Sequence, residues 1–234
     1  MLFIHETHQV KGAREDDFEA AFRDEWMPRL AKSDDARLLW YTTQAHGSGP
    51  AYRFITITGV RDAAAWAALA ERIRSGDLQE WMAALDTLRY DVTGKLLALV
   101  SWSPMQDLDL RTVPTDGTTH PLSLYMEDTG WPSAPIDDYI RYWGEVYHPM
   151  LLAAPPEHRL LEIQACFQVA HGAGRRREGI LMQKIHNQDR LLDLLRTEVP
   201  PAMKKPGSYM LDAFAYRDQW ESRLLRTSAW SPLY

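Results

Sequence analysis

Residues 16–30 read DDFEAAFRDEWMPRL, and residues 137–151 read DDYIRYWGEVYHPML. Both stretches begin with two aspartates and an aromatic residue, continue with aromatic residues at spacings of four, and end with a proline and a leucine. The two stretches are offset by 121 residues. A spacing of four places the aromatic side chains on one slowly turning stripe of a helix. The chain therefore contains the same amphipathic helix twice.

Shorter motifs repeat downstream in the same order. They are KLL of 95–97 as RLL of 223–225, AHG of 45–47 again at 170–172, and SWSP of 101–104 as AWSP of 229–232. The offset rises only from 121 to 128, which chance matches would not do. Self-similarity of this kind is the signature of a repeated unit. We expect two homologous modules, 1–106 and 118–234, joined by a turn-rich linker at 107–117.

Each module shows the same order of predicted elements. A strand with alternating polarity precedes the aromatic helix, and two strands flanking a polar turn follow it. A second helix, interrupted at Gly76 in the first copy, and a final strand complete the module. The order β-α-β-β-α-β is that of the ferredoxin-like unit, with both helices on one face of an antiparallel sheet. The predicted fold class is α+β, with two tandem ferredoxin-like modules whose sheets cover one another.

The composition narrows the classes of function. The 234 residues include 26 Lys+Arg, 32 Asp+Glu and one cysteine, with a formal net charge of −6. This balance disfavours a nucleic-acid partner, because phosphate binding needs clustered basic residues. The single Cys166 excludes an intrachain disulfide and disfavours a cysteine-based zinc site. No leader or long apolar stretch is present, so we expect a cytoplasmic protein without a membrane partner.

The repeated helix and the Trp-Ser-Pro motif resemble those of the dimeric α/β barrel superfamily, and the helix is similar to that of EthD-like and NIPSNAP-like proteins. The resemblance implies two ferredoxin-like sheets around a lumen. It also implies an activity among cofactor-free monooxygenases of polyketide-like phenols, cyclases, dehydratases and haem proteins. Many EthD-like members carry a histidine two residues before the helix-terminal proline. Trp26 and Tyr147 stand there in this chain, and His148 lies one residue later.

Alternation along the strands predicts which side chains face the lumen. In the strand after the second aromatic helix, Ile163, Ala165 and Phe167 form the apolar set that should meet the helices. The opposite set faces the lumen, and the repeat aligns Glu162 with Trp40 and Tyr125 with His5. The predicted lumen residues are His5, Trp40, Thr42, Tyr125, Glu127, Glu162, Gln164 and Cys166.

These residues suggest a pocket for an aromatic or polyketide-like small molecule. We expect acid–base chemistry from His5, Tyr125, Glu127, Glu162 and His148. The substrate-binding residues would be Trp26, Trp40, Thr42, Tyr147, Gln164 and Cys166. No metal or organic cofactor is predicted. Two alternatives remain open, namely a haem protein with His5 or His148 as axial ligand and a non-catalytic binding or assembly module. A homodimer is a further predicted partner, since exposed aromatic residues and sheet edges could pair.

Overall fold

Eight antiparallel strands form one closed barrel within the single chain. The computed structural model describes residues 1–172, 174–201 and 204–234. Around the barrel the strands follow the order β1-β3-β2-β8-β5-β7-β6-β4. Their bounds are β1 Leu2–Val10, β2 Ala36–Gln44, β3 Arg53–Val60, β4 Arg89–Leu99, β5 Leu124–Pro132, β6 Leu161–His171, β7 Gly179–Ile185 and β8 Arg217–Thr227.

The circular order divides into two equal halves. The first four strands are neighbours in the order β4-β1-β3-β2, and the last four repeat it as β8-β5-β7-β6. The halves join at two antiparallel seams, β2 with β8 and β4 with β6. The prediction of two ferredoxin-like modules in an α+β fold is confirmed. The two modules close one barrel with each other within the chain.

The helices cover the outer face of the barrel, and no helix in the described residues is long and apolar enough to cross a membrane. Each aromatic helix is continuous but contains a π-helical segment in its middle. A spacing of four exceeds the 3.6 residues of an α-helical turn, so this wider segment keeps the aromatic stripe facing the sheet. The helical segments are α1 Glu15–Ala20, π Ala21–Trp26, α2 Met27–Leu30, α3 Ala63–Ser75, α4 Gln79–Asp86, α5 Ile136–Tyr142, π Trp143–Tyr147, α6 His148–Leu152, α7 Gln188–Arg196 and α8 Tyr209–Asp212.

Strand pairing defines which residues are equivalent in the two modules. His5 lies opposite Lys95 of the last strand in its module, and Glu127 lies opposite Arg223 in the same way. His5 and Glu127 are therefore equivalent, and the predicted alignment of His5 with Tyr125 is wrong by two residues. Tyr125 instead matches Phe3.

Two β-bulges change the alternation predicted from the sequence. The pairing shifts at Leu39 in β2 and at Gln164 in β6, where one strand carries an extra residue. Beyond a bulge the side chains exchange faces. Ala165 and Phe167 consequently line the lumen, whereas Cys166 packs against the helices. The prediction that Cys166 faces the lumen is wrong for this reason.

The bulges and a longer turn before β6 also alter the match between β2 and β6. Trp40 lies opposite Ile57, and Ala165 lies opposite the equivalent Met182. The residue equivalent to Trp40 is therefore Ala165, and the predicted alignment with Glu162 is wrong.

The repeated Trp-Ser-Pro motifs exchange hydrogen bonds between the modules. Ser103 Oγ accepts from the backbone N–H of Cys166 at 2.9 Å. Ser231 Oγ accepts from the backbone N–H of Tyr41 at 3.0 Å. Both serines are buried, and Tyr41 and Cys166 are equivalent residues that follow the bulges. The Trp-Ser-Pro motif at the end of each module is thus hydrogen-bonded to a strand of the other module, β6 or β2.

Apolar side chains fill the middle of the barrel. Phe3 and Phe167 pack with ring centroids 4.9 Å apart, and Trp40 meets Tyr125 edge to face at 6.3 Å. Further side chains from both modules complete this core: Leu39, Ile55, Ile57, Leu97, Ala165, Ile180, Met182 and Leu225. The centre of the lumen is therefore a hydrophobic core, and a substrate site must be sought elsewhere.

Candidate active site

A cavity of about 220 Å³ lies between the sheet and the helices of the second module. The side chains at its rim are partly exposed, with Met150 40%, Leu194 51% and Trp220 45% accessible. Its walls are mostly aromatic and aliphatic, and it contains one carboxylate and one guanidinium group. Lining residues are Met126, Asp128, Tyr139, Trp143, Tyr147, Met150, Leu151, Leu160, Leu161, Leu181, Leu194, Tyr209, Met210, Arg217 and Trp220.

In the first module, aromatic side chains fill the region that corresponds to this cavity. Trp26 stacks on Trp81 with centroids 4.6 Å apart and planes at 13°. In the second module Tyr147 stacks on Tyr209 in the same way, at 4.5 Å and 19°. Two indoles are thus replaced by two smaller phenol rings. The space that the indole stack occupies in the first module contributes to the cavity of the second.

A second difference concerns a buried polar group. In the first module His8 Nδ1 accepts from Arg89 Nη1 at 2.8 Å, and His8 Nε2 donates to Thr56 Oγ1 at 3.0 Å. Burial and the adjacent Arg89 charge hold the pKa of His8 well below its usual value, so this histidine is neutral and its nitrogens are satisfied. Strand pairing places Gly130 at the equivalent position and Arg217 at that of Arg89.

Gly130 makes room for a tyrosine hydroxyl. A Cβ at this position would lie 2.3 Å from Tyr139 Oη. The absence of the histidine also removes the hydrogen-bond partner that Arg89 has in the first module. The second module therefore keeps the arginine, as Arg217, and adds a phenol beside it.

Three buried polar atoms of cavity-lining residues have no hydrogen-bond partner within the described part of the chain. They are Asp128 Oδ1, Tyr139 Oη and Arg217 Nε. Buried polar atoms are nearly always paired in folded proteins, so a molecule bound in the cavity would supply partners for these three. Burial raises the pKa of Asp128 to about 6, although Ser222, Gln183, Trp220 and Arg217 partly offset it. A carboxyl with this pKa can both take and return a proton near neutral pH.

The other carboxylate oxygen of Asp128, Oδ2, accepts a hydrogen bond from a residue outside the cavity. Gln183 Nε2 donates to Asp128 Oδ2 at 2.8 Å. The Tyr147 hydroxyl donates to Gln183 Oε1, also at 2.8 Å. Burial raises the pKa values of Tyr139 and Tyr147, so both phenols stay protonated at neutral pH.

Several solved structures resemble this architecture, although no sequence relative was found. No family profile matches the chain, and no curated protein matches it. Among solved structures, a protein described as a candidate monooxygenase from Fusobacterium nucleatum matches with a TM-score of 0.59 at 8% identity, over 97% of this chain and 91% of its own. A candidate monooxygenase from Lactobacillus acidophilus matches with 0.55 at 10% identity, over 99% and 97%. The chain shares the fold of these proteins, a closed α/β barrel of two tandem modules. An anthrone oxidase-like protein matches this barrel with 0.59 at 10% identity, over 97% and 91%.

Two predicted site residues of the α/β barrel meet in its lumen. His5 Nε2 donates to Glu127 Oε2 at 2.7 Å, with both side chains almost fully buried. Arg223 Nη1 lies 3.4 Å from the other oxygen of Glu127. Burial opposes ionisation of Glu127, but His5, Arg223 and Lys95 outweigh it and lower its pKa to about 2. This carboxylate is a fixed anion, unsuited to exchanging protons near pH 7.

An open pocket of about 440 Å³ lies at the end of the barrel near this pair. Its charged side chains already have partners. Lys95 pairs with Glu178, and Arg223 Nε donates to Glu221 at 2.8 Å. Trp131 Nε1 also donates to Glu178, at 2.6 Å. Because its charged side chains already make ion pairs or hydrogen bonds within the protein, this pocket is a weaker candidate than the second-module cavity.

The other predicted site residues are dispersed. Only Tyr147 lines the second-module cavity, whereas Trp26 belongs to the filled core of the first module. Glu162 lies half-exposed at a strand end, where His186 Nε2 approaches it to 2.5 Å. The remaining positions are as follows: Trp40 and Tyr125 in the apolar lumen, Thr42 bonded to the carbonyl of Ile55, Gln164 at the bulge, Cys166 against the helices and His148 stacked on Trp102 at 5.5 Å.

Among the polar residues of the cavity, the sequence does not reveal Asp128, Tyr139, Tyr209 and Arg217. Tyr139 was read only as a member of the repeated aromatic stripe. The signal that could have found them is the difference between the copies, above all Gly130 in place of His8. A search for residues shared by the two modules does not detect positions at which one module has a smaller residue than the other.

The histidines considered as haem ligands do not reach the cavity. His5 is bound to Glu127 in the packed lumen, and His148 lies against Trp102. No histidine lines the cavity of the second module. Within the described ranges, no group of three or more His, Cys, Asp or Glu side chains is arranged to hold a metal ion. The site that the haem alternative requires is therefore not supported by these residues.

Proposed function

We propose that this α/β barrel is a cofactor-independent oxygenase that binds an aromatic or polyketide-like ketone in the second-module cavity. The observation that carries the proposal is that Asp128, Tyr139 and Arg217 line one mostly apolar cavity, each with a buried polar atom that makes no hydrogen bond within the described residues. Apolar walls around a few polar groups suit a molecule of fused rings that bears one or two oxygen atoms.

The polar groups have two different roles in a proton transfer: one accepts the proton, and the others stabilise the anion that forms. Asp128 Oδ1 takes a proton from a phenolic O–H or from a C–H group conjugated with the ketone, and the electron pair left behind is delocalised onto the ketone oxygen. Tyr139 and Arg217 donate hydrogen bonds to that oxygen as its negative charge develops. Because the site is buried, these interactions are stronger than they would be in water.

The anion formed in this way is electron-rich and can reduce O₂ directly. For a CH₂ group that becomes a ketone, one atom of O₂ enters the new carbonyl and the other leaves as water with the two hydrogens of that carbon. The likeness to proteins described as candidate monooxygenases and as anthrone oxidase-like supports this choice over a cyclase or dehydratase. A cyclase or dehydratase would use the same proton transfer without consuming O₂.

The test uses anthrone as the probe and an oxygen electrode as the detector. We expect O₂ uptake with the wild-type protein and a loss of about 100-fold or more in Asp128→Asn, the range for removal of a general base. The matched control is Asp138→Asn, which changes a surface aspartate paired with Arg141. Turnover of anthrone by Asp128→Asn at the wild-type rate would refute the proposal. Proton exchange in anthrone without O₂ uptake would favour the cyclase or dehydratase class.

A further inference from the structure

Gln183 lies behind the wall of the cavity and bonds to two of its lining residues. It is on β7, is fully buried and does not line the cavity. Its Nε2 donates to Asp128 Oδ2, and its Oε1 accepts from the Tyr147 hydroxyl, both at 2.8 Å. A single amide thus connects the carboxylate to the phenol.

The direction of these bonds follows from donor and acceptor chemistry. An ionised carboxylate can only accept, so the amide must turn its NH₂ toward Asp128. The amide oxygen then faces Tyr147, whose only proton must point to it. Tyr147 can therefore offer lone pairs, but no proton, to a molecule in the cavity. One oxygen of Asp128 is likewise occupied, which leaves Oδ1 as its free oxygen.

The first module lacks this bridge. Strand pairing makes Thr58 the equivalent of Gln183 and Glu6 the equivalent of Asp128. Trp26, at the position of Tyr147, has a buried Nε1 without a partner in the described residues. The bridge therefore occurs in the module that has the cavity and is missing where that space is filled. A residue needed only for the fold would be expected in both copies.

We propose that Gln183 is the positioning residue of the cavity, which orients Asp128 so that Oδ1 is its reactive oxygen and fixes Tyr147 as a hydrogen-bond acceptor. This inference rests on the proposed function for its catalytic meaning. It also deepens the choice of substrate, because a ligand that satisfies Tyr147 must bring a hydroxyl group to it. A hydroxylated aromatic ketone meets that requirement, and an analogue with a methoxy group at that position does not.

Other charged and titratable groups also face Asp128. They are Arg217 on β8, Tyr139 on α5, Tyr147 on the π-helical segment and Tyr209 on α8. Burial raises the pKa of each phenol, so all three stay neutral near pH 6. Asp128 is therefore the group among these that changes charge near pH 6, and Gln183 bonds to it directly.

The experiment compares wild type with Gln183→Met, which keeps a similar side-chain volume but cannot donate to Asp128 or accept from Tyr147. Asp128 is followed by the ¹³C carboxyl signal of the free protein. Loss of the donor should raise its pKa by about one unit, because this hydrogen bond stabilises the ionised form of the carboxyl group. The acid limb of the pH–rate profile for anthrone should move upward by the same amount.

A purely structural role gives a different result. It would lower the melting temperature and reduce the rate equally at every pH, with the limb unmoved. The matched control is Gln164→Met, a half-buried glutamine at the β6 bulge, which should leave the Asp128 titration unchanged. An unshifted Asp128 signal in folded Gln183→Met would overturn the proposal.

A measurement on the unaltered chain covers the case in which Gln183→Met does not fold. The side-chain amide signals of Gln183 should titrate with the same midpoint as Asp128, and Asp128→Asn should abolish that titration. Amide signals that do not follow Asp128 would contradict the inference. These signals need no turnover, so they separate the two proposals. A coupled titration together with full activity of Asp128→Asn would remove the oxygenase mechanism and leave the Gln183 bridge standing.

Discussion

His5 and Glu127 are equivalent residues of the two modules, and they form a hydrogen bond of 2.7 Å with each other. Equivalent side chains can touch only near the axis that relates the two copies, so this pair marks the centre of the internal symmetry. The two residues occupy equivalent positions but differ in side chain, with a histidine in the first module and a glutamate in the second.

Glu127→Gln should destabilise the protein by about 1–3 kcal/mol at pH 7, because it removes a charge-assisted hydrogen bond in a buried site. The pKa of Glu127 is lowered from 4.5 to about 2 in the folded state. Its contribution is therefore present above the unfolded value and is lost as the pH falls toward 2. Urea titrations at pH 7 and pH 3 measure the difference, which should shrink at the lower pH. Glu145→Gln, on an exposed helical surface, should have no comparable effect.

Refilling the cavity should abolish ligand binding and preserve the fold. Tyr147→Trp combined with Tyr209→Trp recreates in the second module the indole stack of the first. We expect anthrone binding to weaken at least about tenfold and stability to change by less than about 3 kcal/mol, the usual limit for overpacking. Calorimetric titration and thermal denaturation report the two quantities. Tyr90→Trp, at a surface position, serves as the control, and unchanged binding in the double variant would mean that the ligand lies elsewhere.

Gly130→Ala should damage the same site through the backbone. The added Cβ would lie 2.3 Å from Tyr139 Oη and must displace this fully buried ring. A loss of about 1–3 kcal/mol is expected from such overpacking, together with reduced turnover of anthrone. Gly94→Ala is a matched change, because it also adds a Cβ to a strand but meets its nearest atom only at 4.0 Å. Equal effects of the two substitutions would argue against a special role for Gly130.

Ser103→Ala and Ser231→Ala should each leave a buried backbone N–H without a partner. The expected cost is about 1–3 kcal/mol apiece in the free energy of unfolding. The two serines act on separate seams, so the double variant should show roughly the sum. Urea denaturation measures all three variants, with Ser101→Ala at an exposed position as reference. A negligible loss in both single variants would show that the exchanged ends contribute little to closing the barrel.

Much of the fold could be predicted because the sequence contains two copies of the same module. The aromatic helices at 16–30 and 137–151, with the alternating strands around them, give the element order of each module. The break at Gly76 also falls where the sequence indicated, between α3 and α4. The closure of the two sheets into one barrel within the chain is known only from the structure.

The site could not be reached in the same way. Alternation predicts lumen-facing residues only while the register holds, and the bulge at Gln164 reversed the faces of Cys166 and Ala165. Alternation also cannot tell a cavity from a packed core. Asp128 was passed over because an acidic residue on the helix-facing side of a strand has no periodic signal. The role of Gln183 is visible only from its hydrogen bonds to Asp128 and Tyr147, which are distant in sequence.

The covalent joining of the two modules has a consequence for the number of sites in each barrel. A barrel built from two identical chains must carry every pocket twice, and a substitution that fills one fills both. Duplication within one chain removes this constraint, since each copy then accumulates its own changes. Here Trp26 and Trp81 fill the first copy, whereas the second copy keeps the cavity. The protein should accordingly bind one ligand per chain, without cooperativity between halves.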